Sequence, residues 1–475
     1  MIPDLEPRPV WAHFSRLCEI PRSSLHEAAV KEHLVNWARS NGIESRTDSA
    51  GNLVLKKPGL GPHGVILQGH LDMVCQANSG AGHDFLKDAI HPVVRDGWLI
   101  AENTTLGADN GIGVALALSV LEDRTLIHPP VEVLLTVNEE SGMDGARGLS
   151  PGTLEGKWLI NLDTEEWGHF YLGCAGGVDV EISNEYPVEK VPQGHSTLKI
   201  ELSGLLGGHS GIDIHLGRGN AILLLSEFLS AIPADFGLLE LSGGTARNAI
   251  PREAQALVCL PEERADCIGS FAAEWNEKLK ERFPLENPLL CVKTSGPVEN
   301  HCLPPLHGRR LVEYLARAKN GASTMSADFP GVVETSDNLG VMTFSEGKFF
   351  TNFNVRSLRD ECANSLAEEI AATAKSKDFR ATISGGYPGW RPDPSSRLLE
   401  TCRQAYLREF GKEASLQVIH AGLECGLFAS SHPRLEMISF GPDIRGAHAP
   451  GERVEIASVE KCWRLLNAVL RSLCP

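Results

Sequence analysis

Positive charge is what this 475-residue chain is short of. Its 44 lysines and arginines face 61 aspartates and glutamates, a formal net charge of -17. A surface of that sign repels phosphate backbones and anionic headgroups, so nucleic acid and membranes are poor partners. Long apolar runs are missing too: none approaches the ~20 residues of a membrane span. The first stretch, MIPDLEPRPVWAHFSRLCEI, has neither the basic start nor the continuous apolar run of a secretory signal, and the expectation is a cytoplasmic protein. The twelve cysteines include no CxxC pair. In so long a chain they read as reduced, mostly buried thiols rather than a disulfide framework. Internal repeats and low-complexity segments are absent. What remains is 42% hydrophobic, enough for a sizeable core, and the length suggests two or three domains. The acidic excess suits a soluble enzyme or binding protein. It hints at carboxylates used as ligands, although a solvated acidic surface accounts for most of it.

The first part alternates apolar runs with helical patterns. NLVLKK (52–57), GVILQGH (64–70), VEVLLTVNEE (131–140) and KWLINLD (157–163) read as strands. AAVKEHLVNWARS and NGIGVALALSVLED read as helices between them. Such alternation predicts a mostly parallel α/β sheet. After CAGGVDVEI the pattern shifts to half-exposed strands, such as STLKIELSGL, mixed with helices, such as RDECANSLAEEIAATAKS. That predicts a smaller α+β domain. The Gly/Pro-rich GGYPGWRP near 385–392 marks the crossing back to the first pattern. The expected organisation is an α/β domain from residues 1–177 and 387–475, with an α+β domain inserted at 178–386.

The apolar runs of the first pattern close on ionisable residues. GVILQG ends in His70 and Asp72, VEVLLTVN in Glu139 and Glu140, and KWLIN in Asp163. TTLGADNGIG sets Asp109 in a glycine-flanked turn before a helix, and His448 lies in a loop after the late strand EMISFGP. Ligands of open α/β sheets bind at the carboxyl ends of the strands. Two imidazoles and three carboxylates suit two zinc-like divalent ions sharing one carboxylate, about 3.5–4 Å apart. Residues two apart on a strand share a side, so Asp72 is placed to accept the second ring proton of His70 and orient it. Of Glu139 and Glu140, one is needed as a ligand and the other as a free base. Singly, each of these residues also reads as a hydrogen-bonded loop residue, and the paired glutamates as a helix start. Cysteine ligation is the weaker metal alternative, because the cysteines have no ligand spacing.

GHLDMV, TTLGADNGIG, TVNEESGMDGA, NLDTEE, GGHSG, RNAIPRE and HAPGER resemble motifs of the dinuclear zinc peptidases, a family with glutamate carboxypeptidases, aminoacylases and dipeptidases. CAGGVD, GGTARNAIPREA, GGYPGW and IHAGLECGLF are similar to the cytosolic aminoacyl-histidine dipeptidases within it, over essentially the whole chain. The resemblance implies a dinuclear-metal catalytic domain with an inserted lid domain. It assigns one zinc to His70, Asp109 and Asp163 and the other to Asp109, Glu140 and His448. Cobalt or manganese would accept the same ligands. It makes Glu139 the general base for attack by a metal-bridging water, and Asp72 the orienter. A cis peptide is implied between Asp109 and Asn110. His209 of GGHSG becomes an oxyanion donor acting across a homodimer formed through the lid, and Arg356 of NFNVRS the binder of the substrate carboxylate. Asn248 would donate to the same end of the substrate. A capping role for His209 and a strand-face ion pair for Arg356 stay open.

Where many members carry a GGTD-like stretch, this chain has HAGLECG. His420 and Glu424 are therefore candidate substrate contacts, Glu424 for the amino group, against the alternative of a helix-start acid. The implied activity is hydrolysis of Xaa-His dipeptides, β-alanyl-histidine among them. Two rivals remain: a related amidase acting on N-acyl amino acids or other dipeptides, and a silent relative that only binds a small molecule.

Overall fold

The computed structural model describes residues 4–296 and 301–475. The chain divides into two compact units. One comprises Met1–Cys174, Trp390–Val418 and Leu423–Pro475, and the other Ala175–Gly389 with Ile419–Gly422. The crossing back at Gly389 falls inside the GGYPGWRP stretch. The four-residue return at Ile419–Gly422 has no signature in the sequence.

In the first unit an eight-stranded sheet runs in the order Glu44–Thr47, Leu53–Lys57, Val131–Thr136, Val65–His70, Trp158–Asn161, Glu436–Ser439, His169–Cys174, Ser415–Ile419. The central four are mutually parallel, and antiparallel pairs flank them. Strands covered on both faces need continuous apolar runs, and Val65–His70 and Val131–Thr136 are buried at every position. The helix Ala108–Glu122 is likewise buried nearly all round. The last helix, Ile456–Leu473, is amphipathic: Val459, Cys462, Leu466, Val469 and Leu473 line its buried face. A small four-stranded sheet joins the hairpin Ile444–Arg445/Arg453–Glu455 to Trp98–Ile100 and Val93–Arg95.

The second unit has a nine-stranded sheet. Its path runs Leu289–Gly296, His195–Ser203, Ala254–Pro261, Gly237–Gly243, Val333–Ser345, Lys348–Ser357, Gly176–Glu185, Arg380–Tyr387, with Gly321–Met325 added on Val333–Ser345. The register is antiparallel at each junction of this path. Helices Ala221–Ala231, Glu262–Arg282, Pro305–Ala316 and Asp360–Lys375 supply its core together with the sheet. No helix of the described residues is long and apolar enough to cross a membrane, and the twelve cysteines are free thiols.

Candidate active site

Parallel strands end at one edge, so the residues just beyond them gather there. His70 is the last residue of its strand and is 1% exposed. Glu139 and Glu140 open the short helix Glu139–Gly142, just past Val131–Thr136. Asp163 lies two residues beyond Trp158–Asn161. His448 lies in the hairpin loop after Ile444–Arg445, in the left-handed conformation (φ 65°). Asp109 sits in the first turn of Ala108–Glu122, outside helical geometry, and its peptide bond to Asn110 is cis.

These residues meet. His70 Nε2 lies 3.2 Å from Asp109 Oδ1 and 3.3 Å from Asp163 Oδ1. His448 Nε2 lies 3.2 Å from Asp109 Oδ2 and 3.1 Å from Glu140 Oε2. Asp109 thus offers one oxygen to each imidazole. No lysine or arginine among the described residues is ion-paired with Asp109, Glu140 or Asp163. Burial lowers the His70 imidazole, but Asp163, Asp109 and Asp72 outweigh it and hold it well above its ordinary value. Hydrogen bonds to Asp109 and Glu140 hold His448 at about 11. Burial pushes Asp163 up to about 6 against the pull of His70. Burial also lifts Glu139 well above the carboxylate range; His70 opposes it, and Asp163, Glu424 and Glu140 add to it.

This is a well of negative potential that favours cations. The donor set fits a divalent metal. His70, Asp109 and Glu140 present ligand atoms within 4.8 Å of one another, and Glu140 Oε1 is buried with no hydrogen-bond partner among the described residues. Imidazole with carboxylate is the ligand chemistry of zinc-like ions.

Asp72 does a different job from the one expected. The strand ends at His70, so alternation does not align the two side chains. The His70 Nδ1 contact is the main-chain carbonyl of Asp72, at 3.1 Å. The carboxylate Oδ1 is farther, at 3.6 Å, beyond hydrogen-bond range. That carboxylate instead accepts the N–H groups of Glu139 (3.0 Å) and Glu140 (3.2 Å) and the Ser24 hydroxyl (2.7 Å). It anchors the helix carrying the glutamates. Burial alone would raise its pKa, yet His70, Ser24 and the Glu139 N–H bring it to about 2.

Two supporting residues are not among those expected from the sequence, although one of them, Glu452, belongs to the HAPGER motif. Glu452 is 2% exposed. It accepts four successive backbone N–H groups, from Leu106 (2.7 Å), Gly107 (3.0 Å), Ala108 (2.8 Å) and Asp109 (3.2 Å). The other is Arg22, which donates to the carbonyls of Leu71 (2.9 Å), Asp72 (3.1 Å) and Gly107 (2.5 Å). Gly107 has φ 70°, and a Cβ there would collide with the Arg22 guanidinium.

Glu424 begins the helix Glu424–Ser431 and is 1% exposed. Its Oε2 accepts Gln68 Nε2 (2.6 Å) and the Thr136 hydroxyl (2.8 Å), and its Oε1 is buried with no hydrogen-bond partner among the described residues. Burial raises its carboxyl to about 7. Neither oxygen faces solvent, so a substrate ammonium has no access to it in this arrangement. The placement fits a support beneath the strand ends rather than the amino-group contact expected.

The second unit holds the other candidates. Gly211 and Ile212 donate their N–H groups to His209 Nδ1 at 3.1 and 3.0 Å. That nitrogen is therefore the acceptor, and the proton sits on Nε2. Burial, then Arg356, lowers His209 to about 4. Arg356 is 5% exposed. Its Nε donates to the Ser210 hydroxyl (3.3 Å) and its Nη1 to the Tyr387 hydroxyl (2.5 Å). No acidic group among the described residues lies within ion-pair distance of it, so a strand-face ion pair is not formed. Asn248 is exposed, and its carbonyl accepts the Ser210 N–H at 2.9 Å. His420 is 6% exposed, with Nε2 2.7 Å from the Ser336 hydroxyl. Burial, then Arg356 and His209, lower it to about 3.

Two imidazoles and three carboxylates at the carboxyl edge of a parallel sheet, with a further carboxylate beside them, define the class as a metal-dependent hydrolase. The chain belongs to the peptidase family M20/M25/M40, whose pattern it matches over residues 66–472. It is 41% identical to the cytosol non-specific dipeptidase of Escherichia coli over 99% of this chain and 98% of that one. It superimposes on the aminoacylhistidine dipeptidase of Vibrio alginolyticus with a TM-score of 0.87 at 40% identity, covering 99% and 97% of the two chains. A tripeptidase from Staphylococcus aureus shares the fold, with a TM-score of 0.57 at 14% identity and 98% of each chain covered.

Proposed function

We propose that this protein is a zinc-dependent dipeptidase cleaving small dipeptides, Xaa-His dipeptides such as β-alanyl-histidine among them. The observation that carries the reading is Asp109, whose two oxygens each lie 3.2 Å from a different imidazole. That geometry supports reading Asp109 as a ligand shared by two ions. His70 and Asp163 would complete one metal position, Glu140 and His448 the other. Ions held there would supply Lewis acidity, polarising a carbonyl oxygen and lowering the pKa of bound water toward neutrality. Glu139, anchored through its N–H to Asp72, takes the proton of the attacking water and returns it to the leaving amine. His209, neutral and protonated on Nε2, donates to the developing oxyanion. Arg356, buried with no carboxylate partner among the described residues, receives the carboxylate of the dipeptide as a two-pronged donor. Asn248 serves the same end of the substrate.

The names of the two relatives at about 40% identity support the dipeptide class, and the Vibrio protein supports the histidine preference. The Escherichia coli name supports a cytoplasmic location. A homodimer through the second unit, with His209 acting across it, completes the proposal. The test is hydrolysis of β-Ala-His, Gly-His, Gly-Leu and N-acetyl-histidine after chelation and after zinc reloading, with metal content measured alongside. Two ions per chain and metal-dependent cleavage of the first two substrates above the others are expected. Preference for N-acetyl-histidine would move the assignment to an amidase. No cleavage with metal bound would end the catalytic reading.

A further inference from the structure

Three of the motifs that set this chain apart, CAGGVD, GGYPGW and IHAGLECG, converge on one side chain in the second unit. Tyr387 of GGYPGW places its hydroxyl 2.5 Å from Arg356 Nη1. Its ring occupies space that two glycines leave open. A Cβ at Gly177, of CAGGVD, would come within 2.6 Å of the Tyr387 hydroxyl oxygen and 2.7 Å of Cζ. A Cβ at Gly422, of HAGLECG, would come within 2.8 Å of Cε2. Real Cβ atoms do not approach neighbours so closely, so either methyl group would displace the ring. On its other edge the guanidinium is held through Nε by Ser210 of GGHSG. The Ser210 hydroxyl in turn donates to Asn354 Oδ1 at 3.3 Å, and Asn354 Nδ2 donates to Asp179 Oδ1 at 3.0 Å. Arg356 thus hangs between two neutral hydroxyls. Both hydroxyls accept from it, so its full charge stays available for an incoming anion.

We infer that Tyr387 is a positioning residue: seated between Gly177 and Gly422, it aims Arg356 so that the enzyme selects dipeptides with a free terminal carboxylate. This deepens the reading of Arg356 as the carboxylate binder and rests on it. A neutral acceptor fixes one N–H of the guanidinium without neutralising it, whereas an acidic partner would compete with substrate. The remaining donors then keep one direction, as two-pronged carboxylate recognition requires.

The experiment compares Gly-His with its C-terminal carboxamide on the metal-loaded enzyme, as kcat and KM separately. In Tyr387→Phe, KM for Gly-His should rise about tenfold, the scale of one hydrogen bond to a charged group. The carboxamide should lose much less, so the preference for carboxylate over carboxamide falls. Gly422→Ala, which keeps the hydroxyl but shifts the ring, should move the same ratio the same way. Arg356→Ala serves as the reference. If it leaves the ratio unchanged, the assignment of Arg356 itself fails. If Arg356→Ala collapses the ratio while Tyr387→Phe and Gly422→Ala keep it within about twofold of wild type, the positioning role is overturned and the Arg356 assignment stands. Equal losses on both substrates, or a fall confined to kcat, would make Tyr387 merely structural and also overturn it.

Discussion

At the scale of single residues, the division of labour between adjacent glutamates is the sharpest claim. Glu140 Oε2 lies 3.1 Å from His448 Nε2, whereas Glu139 makes no ion pair among the described residues. Glu139→Gln should therefore retain both metals and lose about 10²–10⁴-fold in kcat. Glu140→Gln should lose metal first. Metal analysis beside steady-state kinetics separates the two, and metal loss from Glu139→Gln would reverse their roles. The tautomer of His209 makes a second claim. Its acceptor nitrogen is occupied by two backbone N–H groups, so only Nε2–H remains to donate. His209→Ala should cost about 10²–10³-fold in kcat, the scale of one oxyanion donor, with metal content unchanged. The residue types at the metal site were readable from the sequence, because each comes after an apolar run or opens a helix. The job of Asp72 was not. Strand alternation assigns it to His70, but the strand stops at His70 and the carboxylate binds the backbone of Glu139 and Glu140 instead.

At the scale of elements, the hairpin loop carrying His448 and the turn carrying Asp109 are tied together by Glu452, which gathers four consecutive N–H groups. A glutamine there keeps one oxygen and turns an amide donor toward N–H donors. Glu452→Gln should weaken metal binding about 10- to 100-fold, as loss of a ligand's supporting partner does. Calorimetric titration of the apoprotein with zinc checks this, and unchanged affinity would reduce Glu452 to a loop contact. In the second unit, His209 and His420 are held at about 4 and about 3, against about 6.5 when unfolded. Below pH ~6.5 the unfolded chain binds protons that the folded unit refuses. Their contribution to stability is complete above that pH and drains away as pH falls toward 4 and then 3. The unfolding temperature should drop between pH 7 and pH 5, and drop less in His420→Gln. An equal drop in the variant would remove His420 from the account. These elements were legible as strands and helices from their periodicity. Their ties were not, because Glu452 and Leu106 are 346 residues apart.

At the scale of the whole molecule, the prediction concerns assembly. Should His209 act across a dimer, mixing Glu139→Ala with His209→Ala, each severely impaired alone, should raise activity well above either as subunits exchange. No recovery despite exchange, tracked by mass or fluorescence labelling, would place His209 in its own chain's site. From sequence alone came the α/β class, the second fold pattern between residues 178 and 386, and the residue types of the metal site. All are short-range signals: apolar runs ending in ionisable groups, periods of two and 3.6, and motifs a few residues long. Tertiary structure alone decided which oxygen of Asp109 faces which imidazole, that Asp72 and Glu452 gather the backbone N–H groups beside the metal-site residues, and that Tyr387 seats between two distant glycines. Those are contacts between residues tens to hundreds of positions apart, and their geometry exists only once the sheets have brought the strand ends together.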